Sequence, residues 1–269
     1  MFNQFRSTYR FPDVWPITPQ TLSLFIAYCY ENSLAPRSIR TYVSGINYYQ
    51  KLMGGQDLEN VFVIKKILEG CLRSRPNLPD QRRPITKPIL LAICNQLPLV
   101  CYNGYEATLF KAAFLLAYYG LFRVSELILS QNKSACIVQS NISIENQNSK
   151  LRIQLINSKN NQRGRQISIL IPKECDSTCP VDAVRRFMAV RPCINGPFFC
   201  HSDGRPASRF QFEAVLHKCL LRTQFASQYF RSHSFRIGRA TDLARKGMPQ
   251  ATIMQMGRWQ SSAVNFYIR

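Results

Sequence analysis

A proline-rich, basic stretch divides this chain of 269 residues into two unequal parts. The stretch, RSRPNLPDQRRPITKP over residues 73–88, contains four prolines, which restrict the backbone and remove donors that a helix needs. We therefore predict a smaller domain over residues 1–75, a basic linker over residues 76–85 and a larger domain over residues 86–269. Apolar residues make up 46% of the sequence, which is enough to bury a hydrophobic core.

The charge balance predicts a polyanionic partner. The sequence has 35 lysines and arginines against 15 aspartates and glutamates, a formal net charge of +20. Cations that neutralise phosphates release condensed counterions, which favours nucleic acid as the partner. An anionic membrane surface is the rival partner, but no basic amphipathic helix with an apolar face stands out. No apolar run reaches the roughly 18 residues of a membrane span, and the N-terminus lacks a secretory pattern, so we expect an intracellular protein that is not secreted.

Residues 1–75 have the pattern of a small helical unit. Thr18 followed by Pro19 is typical of a helix start, and Gly54 with Gly55 is typical of a helix end. Apolar residues at helical spacing form three stripes, which are Leu22, Phe25, Ile26 and Cys29, then Ile39, Tyr42, Val43 and Ile46, then Val61, Ile64 and Leu68. Short helices with basic polar faces would grip DNA, and a helical bundle with a solvated surface explains the pattern equally well.

The larger domain combines helices with a short β-rich stretch. Thr86 can cap a first helix, and Gly120 ends a long apolar helix that we predict over residues 105–119. Alternating apolar residues predict strands over residues 141–144, 151–155 and 167–171, with the polar turn SKNNQRG between the last two. Further helices are predicted over residues 180–190, 210–221, 235–246 and 249–256. The expected fold is mostly α with a small antiparallel β-sheet, an α+β class.

Several polar residues of the larger domain lie where a core would not require them. They are Arg123 and Glu126 in GLFRVSEL, Lys159 at the predicted hairpin tip, His233 and Arg236 in HSFR, Trp259 in GRWQSS and Tyr267 in NFYIR. His233 and Arg236 are three residues apart and so share one helix face. Each feature taken alone is also typical of an ordinary surface pair, a solvated lysine, a helix cap or a packed aromatic residue.

The order of these residues resembles the signature of the tyrosine recombinases, the phage-integrase-like family. The local sequences GLFRVSEL, FFCHSDGRP, HSFRIGRATDLA and GRWQSSAVNFYIR, with the SK turn, are most similar to recombinases of eukaryotic Crypton and DIRS-type mobile elements. LAPRSIRTYVSGINYYQK resembles the N-terminal domain of the family. The resemblance covers nearly the whole chain. It implies a helical, SAM-like core-binding domain followed by a tyrosine recombinase catalytic domain.

The resemblance implies a chemical role for each residue. Tyr267 would attack the scissile phosphate and form a 3′-phosphotyrosyl link, which a DNA 5′-hydroxyl later attacks to rejoin the strands. Arg123 and Arg236 would stabilise the extra negative charge of the transition state, because guanidinium groups stay charged and can hold two oxygens. Lys159 would protonate the leaving 5′-oxygen as general acid.

The remaining assignments concern hydrogen bonding and DNA contact. His233 would bind a phosphate oxygen or accept the phenolic proton. Trp259 stands where the family often has histidine, and its indole N–H can donate a hydrogen bond but cannot transfer a proton. Glu126 matches the acidic residue that orients the first arginine of the signature. The predicted DNA-binding residues are Arg37, Arg40, Arg82, Arg83, Arg163 and Arg239.

Other site classes are disfavoured. The spacing of Cys175, Cys179, Cys193, Cys200 and His201 fits no compact zinc pattern, and no aspartate pair suggests a two-metal nuclease. The sequence lacks a GxxxxGK[ST] loop for ATP. We therefore expect no metal and no cofactor. The ten cysteines are scattered, which favours reduced thiols in the cytosol or nucleus.

We interpret the chain as a site-specific recombinase or integrase that clamps double-stranded DNA between its two domains and takes no small-molecule substrate. The resemblance implies a homotetramer on DNA and a nuclear, or otherwise intracellular, location. The sequence ends two residues after Tyr267, where many family members continue, so we expect a fragment, a pseudogene product or a different mode of assembly. A domesticated, non-catalytic DNA-binding protein and a type IB topoisomerase are the alternative functions. Integration or excision, and cleavage in cis or in trans, stay open.

Overall fold

A computed structural model of the protein describes residues 1–76, 79–129, 136–145, 149–155 and 166–269, with Ser262 described for its backbone alone. The chain divides into two units, Met1–Asp80 and Gln81–Arg269. No helix among the described residues is both long and apolar enough to cross a lipid bilayer.

The first unit is helical. Its helices are α1 (Phe2–Thr8), α2 (Pro19–Glu31), α3 (Pro36–Leu52) and α4 (Phe62–Ser74), with a 3₁₀ turn at Leu58–Asn60. The predicted start of α2 is present, since the Thr18 side chain accepts a hydrogen bond from the Thr21 amide and Pro19 occupies the first helical position.

The predicted apolar stripes build the core of the first unit. The buried members are Leu22, Phe25, Ile26 and Cys29 of α2, Ile39, Val43 and Ile46 of α3, and Ile64 of α4. Tyr42 departs from its predicted stripe and is 40% exposed. Helix α1 was not predicted; it is only two turns long and packs Phe5 against Phe25 and Tyr28.

The second unit combines helices with one small sheet. Its helices are α5 (Lys87–Val100), α6 (Gly104–Tyr119), α7 (Val124–Leu127), α8 (Pro180–Val190), α9 (Arg209–Leu221), α10 (His233–Arg245) and α11 (Gln250–Gly257), with 3₁₀ turns at Gln139–Asn141 and Ser262–Phe266. The strands β1 (Ile142–Glu145), β2 (Lys150–Leu155) and β3 (Ile167–Pro172) form an antiparallel sheet in the order β1-β2-β3. The predicted mostly α fold with a small antiparallel sheet is confirmed.

Alternation along β2 fixes which face of the sheet is buried. Leu151, Ile153 and Leu155 are buried and pair with Ile171, Ile169 and Ile167 of β3. This apolar face packs against α8. Because side chains alternate across a strand, Arg152 lies on the opposite face, where it pairs with Glu145.

The centre of the second unit is α6. Its C-terminal part is buried on every side, from Ala112 to Tyr119, and it packs against α5, α8 and α10. A helix that is apolar all round belongs in the middle of a core, so neighbouring helices cover it. Thr86 occupies the N-cap position of α5, as predicted, but its side chain makes no capping hydrogen bond.

The segment just before α5 lies along α10. The Arg83 amide donates to the Tyr229 carbonyl, and the Ile85 amide donates to the Ser234 carbonyl at 2.9 Å. A Cβ added to Gly238 of α10 would lie 1.7 Å from the Ile85 carbonyl oxygen. The close approach of the segment to α10 therefore requires glycine at position 238.

We expect Gly238→Ala to destabilise the second unit by about 1–3 kcal/mol, the usual cost of forcing extra volume into a packed site. The clash is with backbone atoms of Ile85, so it cannot be relieved by rotating a side chain. The free energy of unfolding from urea denaturation measures the change.

Gly104→Ala is the matched control in the same unit. A Cβ at Gly104, the first residue of α6, would meet no atom within 4 Å. Equal stability losses in the two variants would contradict the packing assigned to Gly238.

Candidate active site

Four segments of the second unit converge on one site. They are the turn that follows α6, the first turns of α10, the residues that follow α11, and the C-terminal 3₁₀ turn with Tyr267. An apolar cluster beneath the site holds these segments together. Its buried members are Leu121, Ala240, Leu243, Ile253, Trp259 and Val264.

A tight turn directs Arg123 into this site. Leu121 adopts a left-handed backbone, with φ of 49°, which reverses the chain directly after Gly120. The Phe122 ring then folds back over Gly120, where a Cβ would lie 2.2 Å from it. The chain leaves the turn with Arg123 at the N-cap position of α7.

Glu126 anchors Arg123. One oxygen of the Glu126 carboxylate, Oε2, accepts from the Arg123 backbone amide at 2.9 Å, and Oε1 accepts from the Arg123 guanidinium at 3.0 Å. The Glu126 side chain is 5% exposed, whereas that of Arg123 is 21% exposed. The carboxylate therefore holds a guanidinium that still has access to solvent.

Arg236 of α10 is fully buried in the site. Its guanidinium donates to the backbone carbonyls of Leu121 and Gly257, so it joins the turn after α6 to the end of α11. The guanidinium carbon lies 4.3 Å from the centre of the Trp259 ring and 5.5 Å from the centre of the Tyr267 ring. Its Nε is buried without a hydrogen-bond partner among the described residues.

A third arginine, Arg258, completes a positively charged cluster. Its guanidinium donates to Glu126 Oε2 at 2.9 Å, so Arg123 and Arg258 share one carboxylate. Burial, reinforced by the charges of Arg123 and Arg258, lowers the pKa of Arg236. Burial also lowers the pKa of Arg258. The cluster therefore holds three guanidinium groups, and the Glu126 carboxylate accepts from two of them.

Trp259 forms one wall of the site. The residue is 8% exposed, and its indole Nε1 is buried without a hydrogen-bond partner among the described residues. Gly257 makes room for the ring, since a Cβ there would lie 1.8 Å from a ring carbon. Trp259 Nε1, like Arg236 Nε and Arg258 Nε, is therefore a buried donor that makes no hydrogen bond within the described residues, which is rare in proteins.

Tyr267 reaches this cluster from the C-terminal segment. Its phenolic oxygen lies 2.7 Å from His233 Nε2, which is a hydrogen bond, and its ring centre lies 4.7 Å from that of Trp259. The Tyr267 amide donates to the Val264 carbonyl, and Thr241 of α10 donates to the Tyr267 carbonyl. Hydrogen bonds to both the amide and the carbonyl of Tyr267 therefore hold its backbone in place.

A comparison with known protein families gives a match over residues 90–269, to the model described as the phage integrase family. This range is about two thirds of the chain and contains all of the site residues described above. The chain belongs to the phage integrase family. A comparison with curated protein sequences gives no match.

Solved structures of recombinases and integrases have the fold of this phage integrase family member. XerH site-specific recombinase bound to its difH substrate gives a TM-score of 0.64 at 12% identity, over 94% of this chain and 67% of that chain. Tn1549 transposon integrase in complex with a circular intermediate DNA gives 0.63 at 12% identity, over 99% and 87%. A lambda integrase dimer bound to a COC′ core site gives 0.59 at 14% identity, over 100% and 70%.

The predicted catalytic residues of this family member fall into two groups. The structure brings Arg123, His233, Arg236, Trp259 and Tyr267 together, with Glu126 behind Arg123. Lys159 lies outside the described residues, as does Arg163 among the predicted DNA-binding residues. The roles of all these residues stay predictions.

The other predicted DNA-binding arginines lie in different surroundings. Arg37 and Arg40 are exposed on α3, Arg83 is exposed, and Arg82 is half-buried. Arg239 is buried instead, with its guanidinium over the rings of Tyr118 and Tyr119. Its predicted DNA contact stays a prediction, and its observed contacts are internal.

Sequence reasoning missed Arg258 as a member of the site. Arg258 directly precedes Trp259 in GRWQSS, but its position there does not distinguish it from the many other basic residues of the chain. Three of its acceptors, on Gly120, Leu121 and Glu126, lie more than 130 positions earlier in the chain, so no local pattern connects them. Among the described residues, no three His, Cys, Asp or Glu side chains form a metal-binding group.

Proposed function

We propose that this protein is a tyrosine recombinase that breaks and rejoins DNA strands through a 3′-phosphotyrosyl intermediate. The observation that carries the proposal is the hydrogen bond between Tyr267 and His233 beside a cluster of three arginines, of which Arg123 and Arg258 share the Glu126 carboxylate. A phenol next to a proton acceptor is a nucleophile, and an excess of buried guanidinium charge requires an anion. A phosphodiester satisfies both requirements.

In the cleavage step, Tyr267 attacks the scissile phosphorus and His233 Nε2 takes the phenolic proton. A bond forms between the tyrosine oxygen and phosphorus, and the bond from phosphorus to the 5′-oxygen breaks. The leaving oxygen takes a proton from Lys159. The rejoining step is the reverse, with a DNA 5′-hydroxyl as nucleophile, so the phosphodiester bond energy is retained without a metal or ATP.

The arginines stabilise the negative charge that builds up in the transition state of each step. Arg123 and Arg236 donate to the non-bridging oxygens of the pentavalent transition state. Trp259 supplies a further donor, because its buried Nε1 has no partner among the described residues. The donors are held in place by carbonyls and by Glu126 before DNA binds, which reduces the cost of reorganisation during the reaction.

The DNA itself is bound through the positive charge of both units. The formal net charge of +20 and the exposed arginines Arg37, Arg40 and Arg83 support a duplex DNA partner. Structures of similar fold contain recombinases bound to DNA, and one contains a dimer. We propose assembly as a homotetramer on DNA, because recombination exchanges strands between two duplexes.

Two finer proposals rest on the sequence resemblance. GLFRVSEL and GRWQSSAVNFYIR support a relationship to recombinases of Crypton and DIRS-type mobile elements. Such elements are eukaryotic, so we propose that this protein acts in the nucleus. The Tn1549 transposon integrase among the structural neighbours supports a mobile-element origin.

The test uses DNA that the protein itself selects. A duplex is first isolated from a random library by the purified protein, and one or two copies are placed in a negatively supercoiled plasmid. A recombinase gives deletion or inversion products only with two copies. Relaxation alone in both plasmids would assign a topoisomerase instead, and no change in either would assign a non-catalytic DNA-binding protein.

The role of Lys159 gives a separate prediction. We expect Lys159→Ala to be slow on normal DNA and nearly normal on the same duplex with a 5′-bridging phosphorothiolate, because a thiolate leaves without a proton. Single-turnover cleavage of the two duplexes measures the difference.

Arg123→Ala and Arg236→Ala are the controls for this rescue. Their defect is in charge stabilisation, so the sulfur substrate should not restore them. If Lys159→Ala is equally slow on both duplexes, then Lys159 is not the general acid, and Lys150 and Arg163 become the next candidates.

A further inference from the structure

Arg258 is not one of the predicted phosphate ligands, but it donates hydrogen bonds to several acceptors in the site. Its guanidinium donates to the carbonyls of Gly120 and Leu121, each at 3.1 Å, and to Glu126 Oε2 at 2.9 Å. The Arg258 side chain is 8% exposed and that of Glu126 is 5% exposed. These donors are thus directed at acceptors of the protein and not at solvent.

The backbone of Arg258 has an unusual conformation at the end of α11. Its φ of 58° is left-handed, a conformation that most residues with a Cβ avoid. This conformation lets the Trp259 amide donate to the Met254 carbonyl at 2.9 Å, which closes the end of α11. The strained residue therefore sits between the helix end and Trp259, and its contacts across the site hold it there.

The acceptors of Arg258 are those that set the position of Arg123. Glu126 Oε2 accepts from both Arg258 and the Arg123 amide, while Oε1 accepts from the Arg123 guanidinium. The Gly120 and Leu121 carbonyls belong to the turn that delivers Arg123 to the site. Without Arg258, the Glu126 carboxylate would lose a charged donor and could turn towards the Arg123 guanidinium, withdrawing it from the phosphate.

We infer that Arg258 is a positioning residue that fixes Glu126, and through it Arg123, in the orientation needed for cleavage. The inference rests on the proposed recombinase function. Arg258 also couples Arg123 to the segment of Trp259 and Tyr267, because it is covalently part of that segment. A small displacement of a catalytic group by a mutation away from the reacting atoms can cost about 10²-fold in rate.

The test is a double-mutant cycle on the selected duplex described above. Single-turnover formation of the covalent protein–DNA adduct is measured for wild type, Arg258→Met, Arg123→Ala and the double variant. We expect Arg258→Met to slow cleavage by about 10- to 100-fold, with DNA affinity near that of wild type. Its thermal midpoint should fall, because two carbonyls and the Glu126 carboxylate lose a buried donor. In the Arg123→Ala background, Arg258→Met should cause little further loss, since its effect passes through Arg123.

Two further variants serve as controls. Arg222→Met removes one positive charge from the exposed end of α9 and should cleave at the wild-type rate. Arg258→Lys keeps the charge but cannot span both carbonyls and the carboxylate, so it should restore only part of the rate. If Arg258→Met does not fold, the cycle is run with Arg258→Lys, and the same non-additivity is expected.

The outcomes separate this inference from the proposed function. If wild type cleaves DNA and the Arg258→Met variant cleaves it equally fast, the inference is wrong and the proposed function stands. Additive losses in the double variant would also overturn the inference alone, because general destabilisation would slow both backgrounds by the same factor. Absence of any adduct with the wild-type chain would overturn the proposed function and the inference together.

Discussion

Tyr267→Phe is expected to abolish the covalent protein–DNA adduct while leaving DNA binding almost unchanged. Only the attacking oxygen is removed, and the ring keeps its contacts with Trp259 and Arg236. The lost hydrogen bond to His233 costs about 0.5–1.5 kcal/mol of stability, which is small beside the loss of the nucleophile. Denaturing gels of the protein with the selected duplex measure the adduct, and a gel-shift titration measures binding.

A mixing experiment tests whether each chain uses its own tyrosine. Tyr267 and His233 of the same chain are hydrogen-bonded, which predicts cleavage in cis. A mixture of Tyr267→Phe and Arg236→Ala chains should then form no adduct, since one lacks the nucleophile and the other a complete site. Adduct formation by the mixture would indicate cleavage in trans, and an adduct with Tyr267→Phe alone would move the nucleophile to another residue.

The second large effect is expected for Arg236→Ala. Loss of one preorganised donor to the transition state slows catalysis by at least about 10²-fold. The same substitution leaves the Leu121 and Gly257 carbonyls without their buried donor, which costs about 1–3 kcal/mol for each group that stays unsatisfied. We therefore expect both a slower cleavage rate on the selected duplex and a lower thermal midpoint.

Arg236→Lys separates these two effects. A lysine keeps one positive charge, but its single nitrogen cannot bridge the two carbonyls and also present a planar pair of donors to the phosphate. Cleavage by this variant should stay well below that of wild type, even if its thermal midpoint recovers. An Arg236→Ala rate within about tenfold of wild type would rule out Arg236 as a transition-state donor.

Much of the fold follows from local patterns in the sequence. The predicted helix over residues 180–190 is α8 in the structure, and Leu151, Ile153 and Leu155 form the buried face of β2, as their alternation indicated. Such elements are predictable because helical and strand periodicities are set by neighbouring residues. The short α1 could not be predicted, because two turns are too few for apolar residues to show a helical spacing.

The sequence alone also determined the family and the chemical types of residue that a phosphoryl-transfer site needs. It could not determine which arginines contact which acceptors. Arg236 and Arg258 meet the turn after α6 across more than 110 positions of sequence, and both depend on the folded position of Leu121. Nothing in the sequence indicated that the Arg239 guanidinium lies over the rings of Tyr118 and Tyr119. Only the tertiary structure decides such contacts, because burial and the direction of a side chain depend on elements that are distant along the chain.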